Sequence, residues 1–356
     1  MRRQTIQFVK TADEVRLAYA ISGSGPILVK TANWLNHLEF DWESPVWKHI
    51  FGFLTDHFTL IRYDERGCGL SDWNLKETNF EMWVEDLRAV VDANELQRFP
   101  LLGISQGAAV AIEFASRYPQ RVSHLILVGG FARGRAKRDK QQAKLLSVLL
   151  DVVSSGWDAQ NPAFRRLFSS LYMPDGNSEH QEWLAELCRR TANAENAYKI
   201  LEITGNIDVS DRLAALKVPT LVVHARGDAV VPVEAGRQLA AEIPHARFLQ
   251  LESPNHLLLK DEPAWQQICD EILHFMNLSP HRSATVEPKQ FSQLSEKEQS
   301  ILGLLAEGLS NHAIAEKAFL SEKTIRNHLS NIYSKLGVSS RAEAIVMMRK
   351  GKSSAP

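Results

Sequence analysis

The stretch LLGISQGAAV, residues 101–110, contains a change of period. FPLLGIS (99–105) is an apolar run of strand length, and QGAAVAIEFASRYP (106–119) carries small and apolar residues at helical spacing. Between them stands Gly-Ile-Ser-Gln-Gly. A chain that turns sharply from strand into helix brings backbones close together, so it needs residues without Cβ on either side of the turn. Gly103 and Gly107 meet that need. Such a turn lifts the Ser105 hydroxyl above the strand ends and aims the following amide, that of Gln106, at any oxyanion formed there.

Outward from this junction, strand and helix patterns alternate. TIQFVK (5–10) and EVRLAYAIS (14–22) read as an opening hairpin of edge strands, and 27–31, 58–64, 99–105, 124–130, 219–225 and 246–252 read as core strands. Helical patterns lie between and after them, among them 79–96, 106–119, 233–243 and 263–276. Alternation of this kind predicts an α/β fold with a doubly wound, mostly parallel sheet. The segment from about 131 to 218 has no strand candidate. Its helical runs KLLSVLLDVV, RRLFSSLY and HQEWLAELCRR predict an inserted helical lid. After residue 278, Pro280 and Pro288 bracket a polar stretch, so 279–290 reads as a linker between a domain of residues 1–278 and a small all-α domain of residues 291–350.

A serine hydroxyl is a poor nucleophile until a base takes its proton, so a histidine and an orienting carboxylate are required. Asp228 follows PTLVVHARG at the C-terminal end of a predicted strand, where ligands and catalytic groups gather in open α/β sheets. His256 lies in LESPNH, in the loop after the last predicted strand. The order Ser105, Asp228, His256 suits a triad on this kind of sheet.

These residues, with NHLEFDWESPVW (36–47) and LIRYDERGCGLSD (60–72), carry a resemblance. Residues 1 to about 278 resemble an α/β-hydrolase of the kind joined to bacterial signalling modules. In that family the turn after the third strand carries a His-Gly pair, and the next residue supplies a second oxyanion amide. The aligned stretch is Ala32-Asn33-Trp34, so the resemblance implies Trp34 as that donor beside Gln106. Arg66, Gly67 and Gly69 match a family turn and are expected to be structural. In the lid, Trp157, Phe164, Phe168, Tyr172 and Trp183 are candidate pocket walls, implying a largely apolar ligand.

The tail has its own punctuation. Ser295 with Glu298 is a capping box opening a helix expected to stop at Gly308, and Ser340 with Glu343 opens the last helix. Between them NHAIAEKA (311–318) reads as a short helix and FLS as a tight turn. EKTIRNHLSNIYSKL (322–336) reads as a longer helix ending before Gly337. On that helix Ile325, Leu329, Ile332 and Leu336 recur at burial spacing, opposite a stripe of Lys323, Arg326, Asn327, Ser330 and Ser334. A stripe rich in positive charge, amides and hydroxyls suits phosphates and base edges. The segment 291–350 resembles a LuxR-type helix-turn-helix domain. That resemblance implies major-groove contacts from Arg326, Asn327 and Ser330 and phosphate contacts from Lys323, Thr324 and Lys335. It also implies a homodimer seam at Ala344, Ile345 and Met348.

Charge supports the division. From Lys289 onward ten Lys/Arg face six Asp/Glu, a balance of +4, so the remaining residues carry 31 against 36, or −5, within the overall −1. Such a split suits a tail that meets a polyanion. Three scattered cysteines predict a reducing compartment, and the chain lacks both an apolar run behind its opening arginines and any run of membrane-spanning length, so a cytoplasmic protein is expected. Without a phosphate-binding loop, a dinucleotide fingerprint or a ligand cluster, no cofactor and no metal are expected. Two functions lead, ahead of a pure interaction role with the pocket closed or empty. One is a transcription regulator that binds double-stranded DNA and senses a small, largely apolar acyl-type ligand. The alternative is an active serine hydrolase, an esterase or lactonase, coupled to the DNA-binding domain.

Overall fold

Eight strands pair in one sheet in the order β1-β2-β4-β3-β5-β6-β7-β8. They are β1 Thr5–Lys10, β2 Arg16–Gly23, β3 Ile27–Lys30, β4 Thr59–Tyr63, β5 Phe99–Ile104, β6 Val122–Val128, β7 Thr220–Ala225 and β8 Arg247–Leu251. The computed structural model describes residues 3–278, 294–306, 309–318 and 320–336. β1 and β2 are antiparallel and β2 meets β4 antiparallel; every pairing from β4 to β8 is parallel. The strand that ends at Ser105 is thus central, flanked by β3 and β6.

The helices in the first part of the chain are α1 Lys48–His57, α2 Phe80–Ala93, α3 Gln106–Arg117, α4 Arg135–Arg138, α5 Lys140–Gly156, α6 Ala163–Tyr172, α7 Ser178–Thr191, α8 Ala194–Asn206, α9 Val233–Glu242 and α10 Pro263–Phe275. Alternate residues of β5 explain the layering, because successive side chains on a strand point to opposite faces. Leu101 packs in the core that holds residues of α2 and α3, whereas Leu102 and Ile104 face residues of α1 and α10. Helices therefore cover both faces, as a mostly parallel sheet requires. Between β6 and β7 no named strand interrupts α4 to α8, which form the inserted helical segment. Asp139, Asn177 and Asn193 start three of its helices by accepting a bond from a backbone amide three residues on.

The chain divides into two compact units, Met1–Met276 and Asn277–Pro356. In the second, α11 Glu296–Ala306, α12 Asn311–Ala318 and α13 Glu322–Leu336 pack around Leu302, Leu305, Ile314, Ile325, Leu329 and Ile332. The Ser295 amide donates to Glu298 Oε2 at 2.8 Å and the Glu298 amide donates to Ser295 Oγ at 3.3 Å, closing the capping box. The linker 279–290, the stop at Gly308, Gly337, the box of Ser340 and Glu343, and the seam residues Ala344, Ile345 and Met348 lie outside the described residues, as does the side chain of Leu336. Among the described residues no helix is long and apolar enough to cross a membrane.

Candidate functional site

Ser105 has φ 53° and ψ −124°, a backbone conformation that side chains rarely adopt. Its amide donates to Val128 O at 2.9 Å, which pins the turn to β6. The flanking glycines are sterically required. A Cβ on Gly103 would lie 2.6 Å from Ala108 Cα, and one on Gly107 would lie 2.3 Å from the Ala32 carbonyl oxygen. Gln106 opens α3, so its amide has no acceptor within the helix and is free for a negatively charged oxygen.

Asp228 follows β7 and His256 follows β8. His256 Nδ1 donates to Asp228 Oδ2 at 2.5 Å, while Asp228 Oδ1 accepts from the amides of Val230 and Val231 at 2.8 and 2.9 Å. Burial favours the neutral acid, yet the adjoining imidazole and these donors together hold the Asp228 carboxyl below the ordinary carboxylate range. With Nδ1 committed to the carboxylate, Nε2 is the nitrogen left for proton transfer. It is buried and has no hydrogen-bond partner. Ser105 and His256 line one space together. The lid is tied to this loop, since the His256 amide donates to Tyr172 O at 2.9 Å and the Tyr172 ring meets the imidazole edge-on at 5.1 Å.

The second candidate amide sits in a loop with a polar underlay. Lys30, at the end of β3, is only 3% exposed; its Nζ donates to Thr31 O at 3.1 Å and to Asn33 Oδ1, and lies 5.5 Å from the centre of the Trp47 ring. Burial first, then the nearby Arg62 cation, pushes this lysine down to about 7 against the pull of Asp41 and Asp64. The network fixes the loop that carries Trp34, whose amide has no acceptor among the described residues. A buried carboxyl supports the other donor: Gln106 Nε2 donates to Glu65 Oε2 at 2.7 Å.

Burial pushes Glu65 up to about 8 from 4.5. A folded-state value above the unfolded one means that ionisation disfavours the folded chain. Its penalty is absent below about 4.5, grows as pH rises and levels off above about 8. Glu65→Gln is therefore expected to gain stability over the parent across that window, by on the order of 2 kcal/mol at pH 8.5. Denaturant unfolding at pH 5 and pH 8.5 checks this, and an advantage of equal size at both pH values would contradict it.

Above Ser105 lies a cavity of about 60 Å³. Trp34, Phe131, Leu149, Phe168, Tyr172 and Val231 line much of it, along with Ser105 itself. A second, smaller space shares Trp34, Ser105, Phe168 and Tyr172 and extends to Leu184 and Leu187 of α7. The wall chemistry suits a small, mainly apolar molecule. Among the described residues, no group of three His, Cys, Asp or Glu side chains is placed to hold a metal ion.

In the small unit, α13 has two unlike faces. Ile325, Leu329 and Ile332 are buried, whereas Lys323, Arg326, Asn327 and Ser330 are exposed and Thr324 is half-buried. Ser321 Oγ accepts from the Thr324 amide at 3.1 Å and starts the helix. Arg326 lies 3.7 Å from Glu322 on this exposed face, and the arrangement of α12, a short turn and α13 is that of a helix-turn-helix.

The family model described as serine aminopeptidase, S33 matches residues 45–263, more than half of the chain. The chain belongs to this family of α/β hydrolases. Its C-terminal part, residues 292–348, matches the model of the bacterial regulatory proteins of the luxR family. The protein is thus a luxR-type DNA-binding regulator that carries an α/β-hydrolase domain. That domain is 27% identical over 260 residues to pyrrolizixenacetamide deacetylase of Xenorhabdus hominickii, covering 72% of this chain and 92% of the relative. In fold it is similar to an esterase from Exiguobacterium antarcticum, with TM-score 0.65, 21% identity and coverage of 76% of this chain and 99% of the other. A hydrolase from Pseudomonas aeruginosa PA01 superposes with TM-score 0.64 at 24% identity, covering 76% and 98%.

Within the hydrolase domain the structure brings Ser105, Asp228, His256, Trp34 and Gln106 to one end of the sheet. Of the five aromatic residues expected on the pocket wall, Phe168 and Tyr172 line the cavity and three do not. Trp157 is buried behind the wall, edge-on to Trp34 at 5.9 Å with its Nε1 donating to Ala192 O at 2.9 Å. Phe164 is 43% exposed. Trp183 stacks on Phe40 at 5.2 Å, leaving its neighbour Leu184 to face the site. In the luxR-type domain, Lys335 is bonded to Glu298 at 2.7 and 3.0 Å rather than standing free for a phosphate. Sequence reasoning missed Lys30, although a charged residue closing the apolar run ILVK was a signal. It also missed Arg135 and Arg138, which line the cavity from the first turn of the lid.

Proposed function

We propose that the hydrolase domain senses a small, largely apolar acyl-type ligand, and that its occupancy changes how the luxR-type domain engages double-stranded DNA. The single observation behind this reading is the mainly apolar cavity over Ser105 in a chain that also carries a helix with an exposed polar face. On this reading residues 1–278 are the sensor, 279–290 the linker and 291–350 the DNA reader in a cytoplasmic homodimer paired through Ala344, Ile345 and Met348. Arg326, Asn327 and Ser330 read base edges, and Lys323, Thr324 and Lys335 hold phosphates, Lys335 after giving up Glu298.

Fluorescence anisotropy with a labelled duplex from the regulator's own upstream region tests it. Binding is expected to weaken with salt, and a saturating neutral acyl ester such as ethyl hexanoate is expected to shift the affinity at least about fivefold. Arg326→Ala should cost about 1–3 kcal/mol of specific binding, and Lys323→Ala should lower the salt slope by about 1. An affinity that is the same with and without every acyl compound tried would end the sensor reading.

A second reading is favoured by the Asp228–His256 bond and the free Nε2 facing the space that Ser105 lines: an active esterase or lactonase. Ser105 would attack the acyl carbon, and His256 would take its proton and return it to the leaving alcohol. Water deprotonated by the same imidazole would then release the acid and restore the Ser105 hydroxyl, and Asp228 would orient the imidazole throughout. The amides of Gln106 and Trp34 would receive the oxyanion. A relative named for deacetylation supports acyl chemistry at this site. Both readings can hold at once, because slow turnover would reset a sensor.

A further inference from the structure

The cavity is apolar on nearly every side, yet Arg135 and Arg138 of α4 both line it. Each guanidinium carries five N–H donors, and few are used here. Arg135 donates to Gln142 Oε1 at 2.9 Å and to Val230 O at 2.7 Å; Arg138 donates through Nε to Arg133 O at 2.8 Å. Arg138 Nη1 is buried and has no partner, and the group lies 5.2 Å from the centre of the Phe131 ring. Among the described residues no carboxylate reaches ion-pairing distance of either arginine. The two acids nearest in charge are engaged elsewhere, Asp139 as the cap of α5 and Asp228 with His256. Two half-buried cations therefore line one mainly apolar space with no carboxylate at ion-pairing distance among the described residues, and burial followed by the neighbouring Arg135 charge brings Arg138 down to about 10 against the pull of Asp228 and Asp139. An anion bound between them would relieve that repulsion and use the idle donors. The planar two-donor edge of a guanidinium fits the two oxygens of a carboxylate.

We propose that the ligand bears a free carboxylate in addition to its acyl group, and that Arg135 and Arg138 seat that carboxylate in the cavity over Ser105. This rests on the reading of the cavity as a ligand site and names the ligand's class, an apolar acyl compound that is a monoanion at neutral pH. The arginines then select for orientation as well as charge, because the carboxylate fixes one end of the molecule while the acyl group lies toward Ser105.

Isothermal titration of full-length Ser105→Ala protein, in which turnover is blocked, with monoethyl adipate and diethyl adipate tests the proposal. The two compounds differ in one charge. The monoester is expected to bind at least about tenfold more tightly, as charge-assisted bonds to two partly buried guanidinium groups imply. Adding Arg138→Gln or Arg135→Gln should weaken the monoester to within about threefold of the diester and leave the diester unchanged, which also reports an intact cavity. Arg138→Lys should keep part of the preference, and it provides the comparison if either glutamine variant fails to fold. Equal binding of the two esters, or a preference that survives both glutamine substitutions, overturns the carboxylate seat and leaves the cavity reading standing. If neither ester binds, both proposals fall together.

Discussion

Arg66→Met is expected to destabilise the hydrolase domain by about 3–5 kcal/mol, the cost of leaving a buried charge without its partner. Arg66 is 1% exposed and Asp86, on α2, is fully buried. The guanidinium donates to both oxygens of Asp86, at 2.8 and 2.6 Å, and to Asp13 in the turn between β1 and β2, at 2.7 and 3.2 Å. Burial pushes the Asp86 carboxyl up to about 6 even with Arg66 beside it, so without the cation it would take a proton near neutrality. The deficit should therefore shrink as pH falls. Asp13 is the opposite case, held at about 2 by its bond to the same arginine despite partial burial. Thermal unfolding should show a drop of roughly 10 °C for a domain of this size. The double variant Arg66→Met, Asp86→Leu should recover much of it, because replacing both partners removes the stranded charge. A single variant as stable as the parent, or a double variant no better than the single, would refute the account.

Ser105→Ala should eliminate hydrolysis of short acyl esters by the catalytic reading, with a loss on the order of 10⁴–10⁶ in kcat. The size follows from how much of the site depends on that one oxygen. Asp228 and His256 are already bonded to each other and the amides of Gln106 and Trp34 have no acceptor among the described residues, so the remaining groups have nothing to activate without the hydroxyl. Ser105 and His256 Nε2 are not hydrogen-bonded in this structure, and such bonds commonly tighten only when substrate is bound. Release of p-nitrophenol from p-nitrophenyl butyrate checks the prediction. If parent and Ser105→Ala proteins both run at the buffer rate, the triad is a binding floor and only the sensor reading survives. A substituted protein that still binds ethyl hexanoate as the parent does would separate the loss of chemistry from a loss of folding.

Much of the site was legible before any coordinate. Gly103 and Gly107 marked a turn where a Cβ would strike Ala108 or Ala32, and that constraint belongs to the strand-turn-helix itself. Asp228 and His256 were placed by the rule that loops at the C-terminal strand ends carry the chemistry, and they meet at 2.5 Å. The two faces of α13 followed from helical spacing alone, since Ile325, Leu329 and Ile332 recur on one side of the helix. The pocket walls did not follow. Aromatic residues at helical spacing announce an apolar face without saying whether that face meets a cavity, the sheet or another helix, and Trp157, Phe164 and Trp183 went to other neighbours.

What sequence alone determined here are features held by short-range geometry: the turn at Ser105, the order of strands and helices, the capping box of Ser295 and Glu298 and the amphipathic period of α13. Such features depend on residues within one or two turns of each other. Tertiary structure alone decided that Arg135 and Arg138 enter the cavity, that Lys30 lies buried beneath the Trp34 loop, that Arg66 joins Asp13 to Asp86, and that Lys335 meets Glu298. Each of these sets a charge against a partner or a cavity formed by distant parts of the chain. A charged side chain becomes a surface ornament or a buried necessity only when those parts close over it, because the cost of its burial depends on the surroundings that folding supplies.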